Sequence, residues 1–153
     1  MEQLRRIAGM YYAGGRLLEY LAPALDLFLR VFIANVFFKS GLTKIQNWDS
    51  TLYLFTDEYQ VPLLSPEIAA YLATSAELGL PALLVLGLLG RFAALGLFIL
   101  NGVAVISYYA SLSEAGLNQH LYWGILLAVL LVRGCGLWSL DAWIERRLKP
   151  SAA

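Results

Sequence analysis

Residues 92–112 read FAALGLFILNGVAVISYYASL, a stretch of 21 residues without a formal charge. A helix rises ~1.5 Å per residue, so this length covers the ~30 Å hydrocarbon core of a bilayer. Three further apolar stretches accompany it, Leu21–Leu42, Ile68–Leu89 and Leu121–Val132, of which the last must borrow flanking residues to reach the same length. The sequence therefore predicts an all-α integral membrane protein, an antiparallel bundle of four transmembrane helices.

The composition of the whole chain supports this prediction. The 153 residues are 59% hydrophobic and 14% charged, whereas an ordinary soluble domain is ~45–50% apolar and ~25% charged. A soluble core of this size could not bury so many apolar side chains. The net charge is zero, so there is no basic field to attract nucleic acid. We therefore expect the lipid bilayer as the main partner and no nucleic acid.

Basic residues are concentrated at one end of the predicted bundle, and therefore on one side of the membrane. Eight of the eleven lysines and arginines lie there, namely Arg5, Arg6, Arg16, Arg91, Arg133, Arg146, Arg147 and Lys149. The 46–65 connection at the other face has none, so the positive-inside rule places both termini in the cytoplasm. For a bacterium this means a multi-pass protein of the inner (plasma) membrane.

The same pattern divides the chain into three parts. We expect a cytoplasmic N-terminal segment at 1–20, a transmembrane domain at 21–145 and a cytoplasmic tail at 146–153. Short interfacial helices are predicted at Ser50–Gln60 and from Ser139 toward Lys149, because both segments carry apolar residues on one face.

A few polar side chains fall inside the predicted spans, where a charge costs ~2.5–3.5 kcal/mol at the bilayer centre unless it is paired or hydrated. Counting the helical rise from the span ends places Asn35, Glu77 and Asn101 near the middle of the bilayer. None of them can face lipid cheaply, so we expect them to gather inside the bundle. Lys39 is expected to reach Glu77, with Arg30 as the competing partner.

These residues also have purely structural interpretations. Asp26 and Arg30 are four residues apart on one helical face, which allows an internal ion pair and lowers the cost of insertion. Pro81 cannot donate its amide to the carbonyl of Glu77, so it predicts a kink that opens a pocket wall. Glu77 is therefore either a functional acid in a pocket or a neutral or salt-bridged packing residue.

Neither a metal site nor a disulfide is expected. His120 is the single histidine, and the two methionines, Met1 and Met10, lie at the far end of the bundle. One chain thus offers neither two axial haem ligands nor three metal ligands. Cys135 is the single cysteine, and the glycine on each side of it indicates a helix terminus with close packing.

Three motifs, in order, resemble the DoxX family of small membrane proteins. Arg30 followed by FFKSGLTKI at 37–45 is similar to the first span of that family. The stretch ELGLPALLVLGLLGRFAAL at 77–95 is similar to its second span, with an early glutamate and a Gly-x-x-x-Arg turn. The segment GCGLWSLD at 134–141 resembles its closing Gly-Pro-Gly-x-x-Ser-Leu-Asp motif, with a cysteine in place of the usual proline. The resemblance covers roughly residues 25–148.

The resemblance implies an association with redox or maturation systems. Some relatives are small membrane subunits of thiosulfate:quinone oxidoreductases, others associate with redox-defence enzymes, and others assist maturation of periplasmic or peptide-modifying systems. The first hypothesis is therefore a redox-associated subunit that binds a quinone or similar apolar ligand near Arg30, Asn35, Lys39 and Asn101. Glu77 would act as the catalytic proton relay. Whether the chain is itself an enzyme stays open.

Two alternatives remain. The chain could be a non-catalytic partner or assembly factor of a redox or maturation complex, whose tail and outer helix dock other proteins. In that case the buried polar cluster would only hold the helix register. It could also be a small-molecule transporter acting as a homo-oligomer, because four spans are few for a transporter.

Overall fold

The computed structural model describes residues 1–59 and 61–148, and within them every regular element is a helix. The α-helices are α1 (Glu2–Gln46), α2 (Trp48–Asp57), α3 (Pro66–Leu86), α4 (Gly90–Tyr108), α5 (Glu114–Arg133) and α6 (Leu140–Leu148). Four of these, α1, α3, α4 with the turn that follows it, and α5, are long and apolar enough to cross a membrane. The predicted fold class is thereby confirmed.

The two short helices correspond to the segments predicted to be interfacial. α2 covers most of the segment 50–60 and α6 begins directly after Ser139. The predicted ends of both segments, Gln60 and Lys149, lie outside the described residues, as does the tail from residue 149 to 153.

α1 is much longer than the predicted first span. It begins at Glu2 rather than at Leu21 and runs unbroken for 45 residues, through Pro23, a length of about 68 Å. A proline removes one backbone hydrogen bond, but the turns on either side continue the helix. Residues 1–20 are therefore mostly the first turns of α1, continuous with the first span.

Side-chain caps mark where three of the helices begin. The carboxamide oxygen of Asn47 accepts from the backbone N–H of Ser50 at 3.0 Å at the start of α2. The hydroxyls of Ser65 and Ser113 accept in the same way at the starts of α3 and α5, at 3.4 and 3.1 Å. Each cap satisfies one of the N–H groups that the first turn of a helix leaves unpaired.

The bundle core is made of aliphatic side chains and close helix contacts. Ile33, Leu84, Leu97 and Leu127 are fully buried, one from each spanning helix. α1 packs mainly on α3, and α4 packs mainly on α5. At Gly41 a side chain would lie 2.9 Å from Leu78, so α1 and α3 approach each other closely there. Such packing holds spans together in lipid, where apolar surface gains little by leaving the solvent.

Arg30 closes the end of the bundle where α6 lies. Its side chain is fully buried, and its guanidinium donates to the backbone carbonyls of Leu84, Val85 and Trp138. The distances to Leu84 and Val85 are 3.4 and 3.0 Å. The last carbonyls of a helix have no intrahelical donor, so the guanidinium satisfies the end of α3 and part of the loop before α6.

The ion pair that the spacing of Asp26 and Arg30 allows is therefore not formed in the described structure. The carboxylate of Asp26 instead lies 3.6 Å from the guanidinium of Arg133, which is in the last turn of α5. Spacing along one helix places two side chains side by side, but carbonyls from other elements offered Arg30 more hydrogen bonds. Both residues thus tie α1 to distant segments of the chain.

Asp141 links α6 to the turn between α3 and α4. Its carboxylate accepts from the backbone N–H groups of Leu89 at 2.9 Å and Gly90 at 2.8 Å, which begin α4. Its own N–H donates to the carbonyl of Gly87 at 2.9 Å. Ser139 caps α6 as predicted, accepting from the N–H of Ala142 at 3.2 Å. The segment 134–141 and this turn therefore form one structural unit.

Gly90 lies so close to Cys135 that a side chain cannot be added without displacement. An ideal Cβ at Gly90 would be 1.8 Å from the Cys135 Sγ, so we expect Gly90→Ala to destabilise the fold by about 1–3 kcal/mol through overpacking. Removing the sulfur in Gly90→Ala/Cys135→Ala is expected to restore most of the loss. The check is the thermal midpoint in detergent, monitored by circular dichroism.

Gly79→Ala is the matched control for this prediction. Nothing lies within 4 Å of a Cβ added at Gly79, which is also in a spanning helix. If Gly90→Ala and Gly79→Ala had the same thermal midpoint, the contact between position 90 and the Cys135 sulfur would not determine the stability of the fold.

Candidate functional site

A cavity of about 650 Å³ lies between α1, α3, α4 and α5, in the half of the bundle beneath α2. Its walls are mostly apolar, with Val36 and Phe37 from α1, Leu80 from α3 and Leu100 from α4. A volume of this order is typical of sites for small organic molecules. The few polar groups that line it therefore define what it can bind.

Lys44 and Glu77 form a buried ion pair in the wall of this cavity. The Nζ of Lys44 lies 2.7 and 2.9 Å from the two carboxylate oxygens of Glu77, and both side chains are at most 16% exposed. Ser40 completes the group, donating to Glu77 at 3.2 Å and accepting from Lys44 at 2.9 Å. Glu77 is thus salt-bridged, which was one of the two interpretations of its position.

The predicted partner of Glu77, Lys39, is the wrong lysine. Lys39 is exposed on the outer side of α1, whereas Lys44 shares the inward face with Phe37 and Gly41. These residues follow one another by three or four positions, the spacing that keeps side chains on one helical face. Depth along the helix placed Lys39 near Glu77, but the rotation of α1 turned it away.

Asn35 departs from its predicted position in the same way. Its side chain is exposed on the outer face of α1, and neither this side chain nor that of Lys39 has a hydrogen-bond partner among residues 1–59 and 61–148. The structure therefore does not bring Asn35, Lys39 or Arg30 to the cavity. Of the five predicted site residues, Glu77 lines it and Asn101 lies directly behind it.

Asn101 fixes the orientation of His120, which lines the cavity. The Asn101 amide donates to the His120 carbonyl at 3.0 Å, and its oxygen lies 2.8 Å from the His120 Nδ1. An amide oxygen only accepts, so Nδ1 carries a proton. In the neutral ring Nε2 is then an acceptor, and the edge-to-face contact with Trp123 at 4.9 Å holds the ring in place.

Sequence analysis considered His120 only as a haem or metal ligand and assigned it no other role. A signal for its role was present, because an amide buried in the third span needs a polar partner from a neighbouring helix. His120 is the partner that α5 supplies. The pairing of Asn101 with His120 can be recognised only once α4 is known to pack against α5.

Tyr59 and Tyr108 cover the cavity together with Phe55 from α2. Tyr59 makes edge-to-face contacts with both rings, each at 5.0 Å between centroids. Burial, reinforced by the neighbouring Tyr108 and Glu58, raises the pKa of the Tyr59 phenol. The phenol therefore stays protonated at neutral pH and remains a hydrogen-bond donor. Sequence analysis missed it, since Tyr59 falls within the segment that was predicted only as an interfacial helix.

The cavity opens sideways, between α3 and α4. Leu72 on α3 and Ile99 on α4 both line it, yet each is 57% exposed on the outside of the bundle. Both residues lie in helices long and apolar enough to span a membrane. Deeper in the wall, the Ser107 hydroxyl is buried without a hydrogen-bond partner in the described structure.

Within the described residues, neither a reactive cysteine nor a metal-binding cluster provides a second candidate site. Burial raises the pKa of the Cys135 thiol, so the thiolate that reacts as a nucleophile is scarce at neutral pH. Across the described ranges, no group of three histidine, cysteine, aspartate or glutamate side chains is placed to hold a metal ion.

Comparisons with known proteins agree with the first two motifs. The family description that matches residues 25–110 is DoxX. An uncharacterized protein of Haemophilus influenzae is 37% identical over 128 residues, which cover 78% of this chain and 83% of that protein. No solved structure matches the chain significantly. The matched family segment includes Lys44, Glu77 and Asn101 but ends before His120.

Proposed function

Since the chain belongs to the DoxX family of membrane proteins, we propose that it is a redox-associated membrane subunit that binds a quinone. The ligand, or a lipid-soluble molecule of similar chemistry, occupies the cavity between α1, α3, α4 and α5. We also propose that the protein lies in a bacterial inner membrane with both termini in the cytoplasm. In that orientation the cavity is in the outer half of the bilayer.

The lateral opening between Leu72 and Ile99 is the observation that carries this proposal. A lipid-soluble ligand can enter through it from the hydrocarbon without crossing water. The apolar walls suit a ring and an isoprenoid-like tail, while Lys44, Tyr59 and Ser107 can donate hydrogen bonds to ring oxygens. A water-soluble substrate would find no matching entrance there.

The residues of the wall provide charge and proton positions. A bound quinone supplies the redox chemistry, because its reduction to a quinol takes up two electrons and two protons. The ammonium of Lys44, held by Glu77, stabilises negative charge on a ring oxygen. His120 keeps one proton on Nδ1 through Asn101 and presents Nε2 as the atom that accepts or returns another. The electron donor in this proposal is a partner oxidoreductase.

This arrangement changes the roles proposed from the sequence. Glu77 holds Lys44 in place, and Asn101 positions His120. Arg30 belongs to the closed end of the bundle. Asn35 and Lys39, on the outer face of α1, have no part in the proposed site.

Filling the cavity is expected to abolish ligand binding without unfolding the protein. Ala76 is a half-buried cavity residue in α3, and we expect Ala76→Phe to weaken binding of a short-tailed benzoquinone, such as decylubiquinone, at least about tenfold through lost volume. Binding is measured as saturable quenching of tryptophan fluorescence in detergent. The signal should disappear in Trp123→Phe, because Trp123 lines the cavity.

Ala82→Phe is the matched control, since Ala82 is exposed on the same helix and does not line the cavity. Glu77→Gln tests the polar wall and is expected to weaken binding while the protein still inserts. Mass spectrometry of organic extracts from gently purified protein should identify a quinone. Unchanged binding in both Ala76→Phe and Glu77→Gln, or no binding by the wild type, would overturn the proposal.

The exposed apolar side of α6 supports the second candidate, a non-catalytic partner of a larger complex. Trp143 and Leu148 are 53% and 76% exposed, although Asp141 anchors the start of the helix. In this case deletion of residues 143–148 is expected to release co-purified partner proteins, while Ala76→Phe leaves the complex intact. The opposite pattern favours the cavity.

A further inference from the structure

The face of α1 that points away from the bundle carries an uninterrupted stripe of apolar and small residues. It occupies positions 4, 7, 11, 14, 18, 21, 25, 28 and 32, which alternate by three and four residues. Leu4, Tyr11 and Phe32 in this stripe are 70%, 77% and 45% exposed. The stripe therefore has no partner within the described part of the chain.

The spacing of the stripe is that of a coiled coil. Steps of three and four residues average 3.5, so the stripe drifts by ~20° per heptad on a straight helix of 3.6 residues per turn. Such a stripe stays in contact with a partner when two helices wind around each other. If the stripe contacted only lipid, its apolar residues would not need to keep the heptad spacing over four heptads.

The charges of the N-terminal half fit the same register. When Leu4 is taken as heptad position a, Arg5 and Glu19 occupy position b, Arg6 occupies c and Arg16 occupies f. These positions lie on the outside of a two-stranded coiled coil and stay in contact with water. In the first turns of α1, the apolar stripe and these charged side chains therefore lie on different faces of the helix.

Asn35 and Lys39 continue the stripe toward the C-terminal end of α1, at heptad positions d and a. Both side chains are exposed, and neither has a hydrogen-bond partner in the described structure. An unpaired amide at this depth is costly, whereas two Asn35 amides facing each other across a twofold axis can each donate and accept. The long stem of Lys39 can carry its charge toward the membrane surface.

We propose that two copies of this chain associate through α1 as a parallel, two-stranded coiled coil from Leu4 to Asn35. Copies inserted in the same orientation present their first helices in parallel, so the seam of one copy meets the same seam of the other. The inward face of α1, with Arg30 and Phe37, lies on the opposite side of the helix and stays in its bundle. The dimer leaves the cavities on the outside, open to lipid.

Disulfide cross-linking of the full chain in native membranes tests the pairing. In a Cys135→Ala background, Leu18→Cys places a thiol in the seam and Arg16→Cys places one at the outer position f. We expect Leu18→Cys to form a cross-linked dimer on mild oxidation and Arg16→Cys, the matched control, to remain at least about tenfold less cross-linked. Both residues are exposed in a single chain, so exposure alone predicts equal reaction.

A second measurement follows the mass of the purified protein. The wild type is expected to be a dimer in detergent by light scattering, and Asn35→Val to dissociate about 3- to 15-fold more readily, the range expected for one hydrogen-bonded polar contact between spans. A monomeric wild type, or equal cross-linking of the two cysteine variants, would overturn the proposal. Failure of Leu18→Cys to cross-link, as expected if the stripe lies on the membrane surface, would also overturn the proposal.

Discussion

Arg30→Ala is expected to destabilise the fold by about 3–5 kcal/mol, the largest effect of any single substitution considered for this protein. The side chain is fully buried, and its guanidinium donates to carbonyls of α3 and of the loop before α6. Each carbonyl left unpaired in a buried site costs ~1–3 kcal/mol, and the truncated side chain leaves a void as well. The closed end of the bundle should open before the rest.

Unfolding in detergent by titration with dodecyl sulfate, monitored by circular dichroism, measures this loss. Arg91→Ala is the control, because Arg91 is exposed and makes one long hydrogen bond of 3.3 Å to the carbonyl of Val132. We expect that control to lie within about 0.5 kcal/mol of the wild type. Arg30→Lys should recover only part of the loss, since an ammonium lacks the planar fork of donors. Similar curves for both alanine variants would refute the assigned role.

Lys44→Met is expected to destabilise the protein by about 3 kcal/mol, because it leaves the Glu77 carboxylate buried without its counter-ion. Lys39→Met offers an unusually close control. It makes the same substitution five residues earlier in the same helix, at a lysine that is exposed and unpaired in the described structure. That variant should be no less stable than the wild type. Thermal midpoints in detergent compare the two directly.

The double variant Lys44→Met/Glu77→Gln separates the ion pair from the loss of either side chain. Once both charges are absent, no carboxylate is stranded, so the double variant should be more stable than Lys44→Met alone. We expect the double-mutant cycle to yield a coupling energy of about 1–3 kcal/mol. Strictly additive losses would mean that the two groups do not interact, contrary to their 2.7 Å separation.

The two lysines show where prediction from the sequence ends. Counting residues along the helices places Lys39 closer than Lys44 to the depth of Glu77, yet Lys44 forms the ion pair. Which of them faces α3 depends on the rotation of α1, and this is set by close contacts such as Gly41 on Leu78. Those contacts involve residues far apart in the chain, so no local pattern could choose between the lysines.

Arg30 gives the same lesson from the opposite direction. Its spacing from Asp26 offered a local partner, but its hydrogen bonds go to residues 54, 55 and 108 positions away. Sequence analysis considered His120 only as a haem or metal ligand, but its orientation in the cavity wall depends on Asn101 in the adjoining helix. These errors concern the partners of a residue, which the rise along a single helix does not determine.

Hydropathy, charge and motif order were enough to establish the bilayer as solvent, the four spans and the family, because these properties accumulate along the chain and need no knowledge of neighbours. The ion pair of Lys44 and Glu77, the orientation of His120 and the lateral opening of the cavity became visible only in the folded bundle. They depend on how each helix is rotated about its own axis. That rotation is decided by packing between helices, in which every contact involves distant parts of the sequence at once.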